Sequence, residues 1–145
     1  MRQYRQLPKV VNQAVTQEEL SGVSRTGPAV DWCHGNAAED TRATRGWLLG
    51  GFVDPAEGVR HSEDVEVRWA TYRAGTVRPE WTVDDRRTTL VVLVRGEFRV
   101  DLTVGSRVLA EQGDYVLWGP GIDHSYEALT DAVVMAVRWP SGGPL

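Results

Sequence analysis

The chain has one lysine, Lys9, and one cysteine, Cys33, in 145 residues. A lone cysteine excludes an internal disulfide and fits a reducing compartment. Cys33 adjoins His34, and neighbouring side chains diverge in an extended segment, so a Cys–His nucleophile pair is not indicated. With the only lysine in the irregular N-terminal part, serine/lysine hydrolysis is all but excluded. No apolar run reaches the length of a membrane span and the N-terminus has no signal-peptide core, so a cytoplasmic protein with no membrane contact is expected. No glycine-rich loop opens a helix, which argues against a nucleotide cofactor. The 15 arginines are scattered and the net charge is −4. No basic stripe follows a phosphate backbone, so no nucleic-acid partner is expected.

What is present suits a single globular domain rich in turns: 41% hydrophobic residues, 15 glycines, 7 prolines and six tryptophans. Tryptophan serves a core, a pocket wall or an interface. Residues 1–43 read as a loop-rich N-terminal extension, residues 44–140 as the folded body and residues 141–145 as a tail. In the extension, Thr16-Gln17-Glu18-Glu19 has the form of a capping box, which would start a short helix near Leu20. Val10, Val11, Ala14 and Val15 would equally form one face of a helix ending there. Gly22, Gly27-Pro28 and Gly35-Asn36 punctuate loops. The extension is expected to wrap the body or to reach a partner subunit.

From Thr44 the chain reads as strand after strand. Trp47 to Val53 is an apolar run closed by Asp54-Pro55. Val65, Val67, Trp69 and Thr71 alternate with Glu66, Arg68 and Ala70, the pattern of a half-buried strand. Thr88 to Val94 is mostly β-branched, and Arg95-Gly96-Glu97 is a turn. Phe98, Val100, Leu102 and Val104 alternate with Arg99, Asp101 and Thr103 before Gly105-Ser106. Val108–Ala110, Tyr115–Trp118, His124–Leu129 and Val133–Trp139 complete eight strands. That count and spacing predict an all-β sandwich or barrel.

One stretch is more specific. Gly113 to Tyr126 reads GDYVLWGPGIDHSY. It resembles the second motif of the cupin family, G-x5-P-x-G-x2-H-x3-N, which delivers a metal-binding histidine, here His124, to a barrel interior. Pro120 stands one place late and Ala128 replaces the asparagine. The family's first motif, G-x5-H-x-H-x3,4-E-x6-G, is matched by Gly75 and Gly96 at its ends. The resemblance spans about residues 65–139. It implies a cupin-type double-stranded β-helix, a jelly-roll barrel, behind an irregular, partly helical N-terminal extension.

The first motif's ligand slots fall on Trp81-Thr82-Val83-Asp84-Asp85 and on Thr89, with no histidine among them. Of the family's usual three histidines and one carboxylate, only His124 survives. No cofactor is therefore expected. A divalent metal would need His124 and substitutes such as Glu80, Asp84, Asp85, His34 or His61.

Three functions, and a metal-dependent alternative beside them, follow from the resemblance. The barrel binds a small molecule around His124, with Trp81, Trp118, Tyr126 and Trp69 as walls, Asp85 and Thr89 at the ligand, and Arg87 orienting it. Alternatively it is a metal-independent acid/base enzyme of isomerase or cyclase type. His124 is then the base, Tyr126 the proton donor, Arg87 the stabiliser of developing charge, and Asp84, Asp85 or Glu80 orients the imidazole. A metal-dependent oxygenase or isomerase is the alternative in another class. The third function is an interaction protein, because small cupins pair through their sheets. A homodimer is expected, with Trp47 and Trp139 at the contact. Asp123 should point away from His124 and serve structure.

Overall fold

The computed structural model describes residues 31–142. Eight strands form two antiparallel sheets. They are β1 (Trp47–Leu49), β2 (Glu66–Tyr72), β3 (Thr88–Arg95), β4 (Phe98–Leu102), β5 (Gly105–Leu109), β6 (Tyr115–Trp118), β7 (His124–Ala128) and β8 (Ala132–Trp139). One sheet runs β1-β2-β8-β3-β6 and the other β5-β4-β7. The sheets face each other as the walls of a barrel, the all-β architecture the sequence predicts.

The first apolar run is strand only to Leu49, because Gly50 breaks the pairing and bridges His61 instead. β4 stops at Leu102, and Thr103-Val104 make the turn that was expected at Gly105-Ser106. Asn36 caps a single helical turn, Ala37–Asp40, with its side chain accepting from the N–H groups of Ala38 and Glu39. The capping box at Thr16 and the helix near Leu20 lie outside the described residues. No described helix is long and apolar enough to cross a membrane.

β2 corrects the sequence reading of its faces. Glu66 and Ala70 are buried in the barrel, while Val67, Trp69 and Thr71 face outward. A period-2 pattern fixes two faces but not which one is inside. The choice falls to the neighbour: Glu66 lies opposite Arg138 on β8, and the two charges answer each other inside the barrel.

The inward residues divide the barrel. Leu93, Phe98, Val100, Leu109, Ala128, Ala132 and Val134 form a dry core. Glu66, Thr89, Trp118, His124 and Arg138 stand at the first or last residues of β2, β3, β6, β7 and β8, or one place in. Antiparallel pairing gathers those strand ends at one end of the barrel, so fold and polarity together create a polar mouth above an apolar floor.

Candidate functional site

A cavity of about 60 Å³, partly open to solvent, lies between the sheets at that end. His124, Tyr126, Trp118 and Thr89, all expected at the site, line it. His124 and Tyr126 share one face of β7, as their two-residue spacing requires. Tyr126 packs against Phe98 and Tyr72, with ring centroids 5.2 and 5.1 Å away.

His124 is held from two sides. Its ring lies 4.9 Å from that of Trp118. On the other side stands Thr82, from the segment where the family's first motif carries its histidines. That segment runs beside β7: Arg78 N–H donates to the carbonyl of Tyr126, and Thr82 N–H to that of His124. The Thr82 hydroxyl donates to Asp123 Oδ1 at 3.0 Å and accepts the His124 backbone N–H at 3.0 Å. Nδ1 lies 3.4 Å from the same oxygen. With the hydroxyl proton spent on Asp123, Nδ1 is the donor and Nε2 keeps its free lone pair. Asp123 also accepts the Asp85 N–H, the main reason its carboxyl stays below the usual range.

Burial, reinforced by the positive charge of Arg78 and of Arg138, pushes the His124 pKa down to about 4. The imidazole is neutral at physiological pH.

Sequence reading misses the arginines. Arg68, Arg78 and Arg138 line the cavity, and among the described residues no carboxylate does. A strand residue between apolar neighbours gives no sign of the face it takes; only the register sets Arg68 and Arg138 inward. Arg138 lies 4.0 Å over the Trp47 ring, which is buried in the barrel wall. Trp139 is half-exposed.

Behind the wall is an ionic cluster. Glu66 is 1% exposed and pairs with Arg87 at 2.9 Å and with Arg138. Its other oxygen accepts from the Ser141 hydroxyl and the Gly142 N–H. Arg87 also binds Asp85 at 3.0 Å. Burial alone would raise the Asp85 pKa, but the hydrogen bonds and charge of Arg87 outweigh it and hold it low. Burial and Arg87 lower the Arg138 pKa to about 10, which leaves it charged at neutral pH.

This arrangement revises four expectations. Arg87 and Asp85 satisfy each other in the cluster and do not line the cavity. Trp69 faces a surface depression beside Ala38 and Thr41, because its strand turns the other face inward. Trp81 is 45% exposed and is absent from the cavity wall.

Among the described residues, three buried donors have no partner: Thr89 Oγ1, Trp118 Nε1 and Arg138 Nε. Arg138 lies opposite Thr89, and Thr89 opposite Trp118, so the three form one row across β8, β3 and β6. Each unpaired donor costs about 1–3 kcal/mol.

A metal does not fit these residues. Among the described residues no three His, Cys, Asp or Glu side chains converge. His61 Nδ1–H donates to the Val53 carbonyl, 2.6 Å away, and His34 stacks on Trp32. Asp84 pairs with Arg86, and Glu80 is exposed. A divalent cation at His124 would also meet the guanidinium charge that already disfavours the imidazolium.

No family model matches the sequence, and no curated protein does. Solved structures do. KdgF from Halomonas sp. is 25% identical over 57% of this chain and 75% of its own, with a TM-score of 0.50. The plu4264 protein of Photorhabdus luminescens is 16% identical over 64% of this chain and 71% of its own, with a TM-score of 0.51. An RmlC-like cupin from Shewanella frigidimarina is 21% identical over 55% and 69%, with a TM-score of 0.48. The likeness is one of fold.

Proposed function

We propose that this chain, a cupin by fold, holds a small organic molecule in the barrel cavity beside His124, without a resident metal. The observation that carries this is a partly open cavity whose wall combines neutral His124 with unpaired buried donors and an apolar floor. A few convergent polar groups in an otherwise apolar concavity are the usual makeup of a ligand site.

Acid/base catalysis at His124 is the second reading, favoured by the bond to Thr82 that leaves Nε2 as a free acceptor. Magnitude ranks it behind binding. With a pKa of about 4, Nε2 takes up a proton at a cost of about 3 kcal/mol more than an ordinary histidine. The imidazole is thus always available as an acceptor but weak as a base.

The test is an NMR titration of the full chain with small acids, amides and alcohols, read on the His124 ring signals. Saturable movement with at least one class, weakened in His124→Ala, is expected. Unmoved His124 signals throughout would sink the proposal. Turnover of a bound compound that His124→Ala abolishes would bring the catalytic reading forward.

A further inference from the structure

The charges of the cavity wall do not balance. Among the described residues, three arginines stand in it and no carboxylate. Glu66 answers Arg138 from behind. Among the described residues, neither Arg68 nor Arg78 has a carboxylate within ion-pair distance. Arg68 donates to the Arg45 carbonyl and the Tyr72 hydroxyl, and Arg78 to the Glu80 carbonyl. The wall residues Arg138, Thr89 and Trp118, one row across three strands, also carry buried donors that lack acceptors among the described residues. Donors and positive charge in excess on one small surface call for an acceptor-only, negatively charged group.

The rest of the wall narrows the choice. Val91, Val100, Val134 and Ala136 offer hydrocarbon contact, which an inorganic anion does not use. At about 60 Å³ the space is less than half of the roughly 150 Å³ that admits a benzene ring. It takes a carboxylate with a short alkyl stem, and any larger remainder lies towards the open side.

Resting on the reading that the barrel binds an organic molecule, we propose that the ligand is a small organic carboxylate, its head group set among Arg68, Arg78 and Arg138 and its first carbons against the valine floor. A bound carboxylate also relieves the positive charge around His124.

The experiment is calorimetry on the full chain with propionate, butyrate, propionamide and inorganic phosphate. It is paired with NMR of the Trp118 indole N–H, assigned by its loss in Trp118→Phe. Propionate and butyrate are expected to bind one per chain and to move the indole signal; propionamide and phosphate are not. Arg68→Met and Arg78→Met should each weaken butyrate at least about tenfold, and Thr89→Val about fivefold, with folding verified by the dispersed NMR spectrum. Propionamide binding as tightly as propionate overturns the carboxylate and leaves the barrel site standing. Phosphate binding as tightly as butyrate overturns it in favour of inorganic oxyanions. Failure of every probe to move either the indole or the His124 signals removes the ligand and the site together.

Discussion

Glu66 and Arg138 face each other across β2 and β8 inside the barrel, and each is held there by further partners: Glu66 by Arg87, Ser141 and Gly142, Arg138 by the face of Trp47. The pair is the hinge between structure and site. It neutralises charge behind the wall while the Arg138 side chain forms part of the wall itself.

Removing one charge of such a cluster strands the others. Glu66→Gln is expected to destabilise the fold by about 3–5 kcal/mol in urea unfolding, whereas Glu66→Gln with Arg138→Met should cost less than the two single changes combined. A loss below about 1 kcal/mol for Glu66→Gln would show that the cluster contributes little to stability.

His124 ties stability to pH. Unfolded, it takes a proton near its ordinary value of 6.5; folded, it waits until about 4. Between those values the unfolded chain holds more protons, so stability falls as pH drops through that window, and this contribution is exhausted below it. From pH 7.5 to 5.0 the loss due to this group is about 2 kcal/mol. His124→Gln should lack that increment in parallel unfolding curves. Identical pH slopes for the two proteins would contradict a buried neutral imidazole.

Gly75 and Gly96, the two ends of the family's first motif, make unequal demands. Both have positive φ, 82° and 87°. A Cβ at Gly96 would stand 2.2 Å from the Asp131 carbonyl oxygen, while one at Gly75 meets nothing within 4 Å. Gly75→Ala should cost about 1 kcal/mol, the strain of the left-handed backbone. Gly96→Ala should cost at least about 2 kcal/mol more, because backbone must move. Thermal unfolding of both variants measures the difference, and equal costs would refute it.

The outward face of the five-stranded sheet carries Trp69, Met135, Val92 and Tyr115 in one cross-strand row and Val67, Val137, Leu90 and Leu117 in the next. A sheet apolar on both faces is the pattern of one covered on both sides. Light scattering is expected to give twice the chain mass of 16.1 kDa, and Leu117→Glu to lower it. A monomer at high concentration would overturn the pairing of two chains.

The strands were legible because alternation and glycine turns are local signals. The motif GDYVLWGPGIDHSY placed His124 inward for the same reason, with Trp118 and Tyr126 flanking it, and the spacing of the first motif put Thr89 in the glutamate slot. The arginines were not legible. Whether Arg68 or Trp69 enters the barrel depends on what β8 offers opposite, and that register is not written in β2. Asp85 and Arg87, two residues apart, looked like site groups because nothing local shows that they satisfy each other. The single helical turn was hidden in a stretch where Asn36 reads equally as a loop residue and as a cap.

β8 lies between β2 and β3, and it is the last of the eight strands in the sequence. During synthesis, both neighbours leave the ribosome long before residues 132–139 do. Two long strands must therefore keep open edges until their common partner arrives, and the charge cluster, which needs Arg138, is completed at the same moment. A chain stalled before Ala132 presents both edges at once, which makes β8 the step that separates a nascent chain prone to edge pairing from a closed barrel.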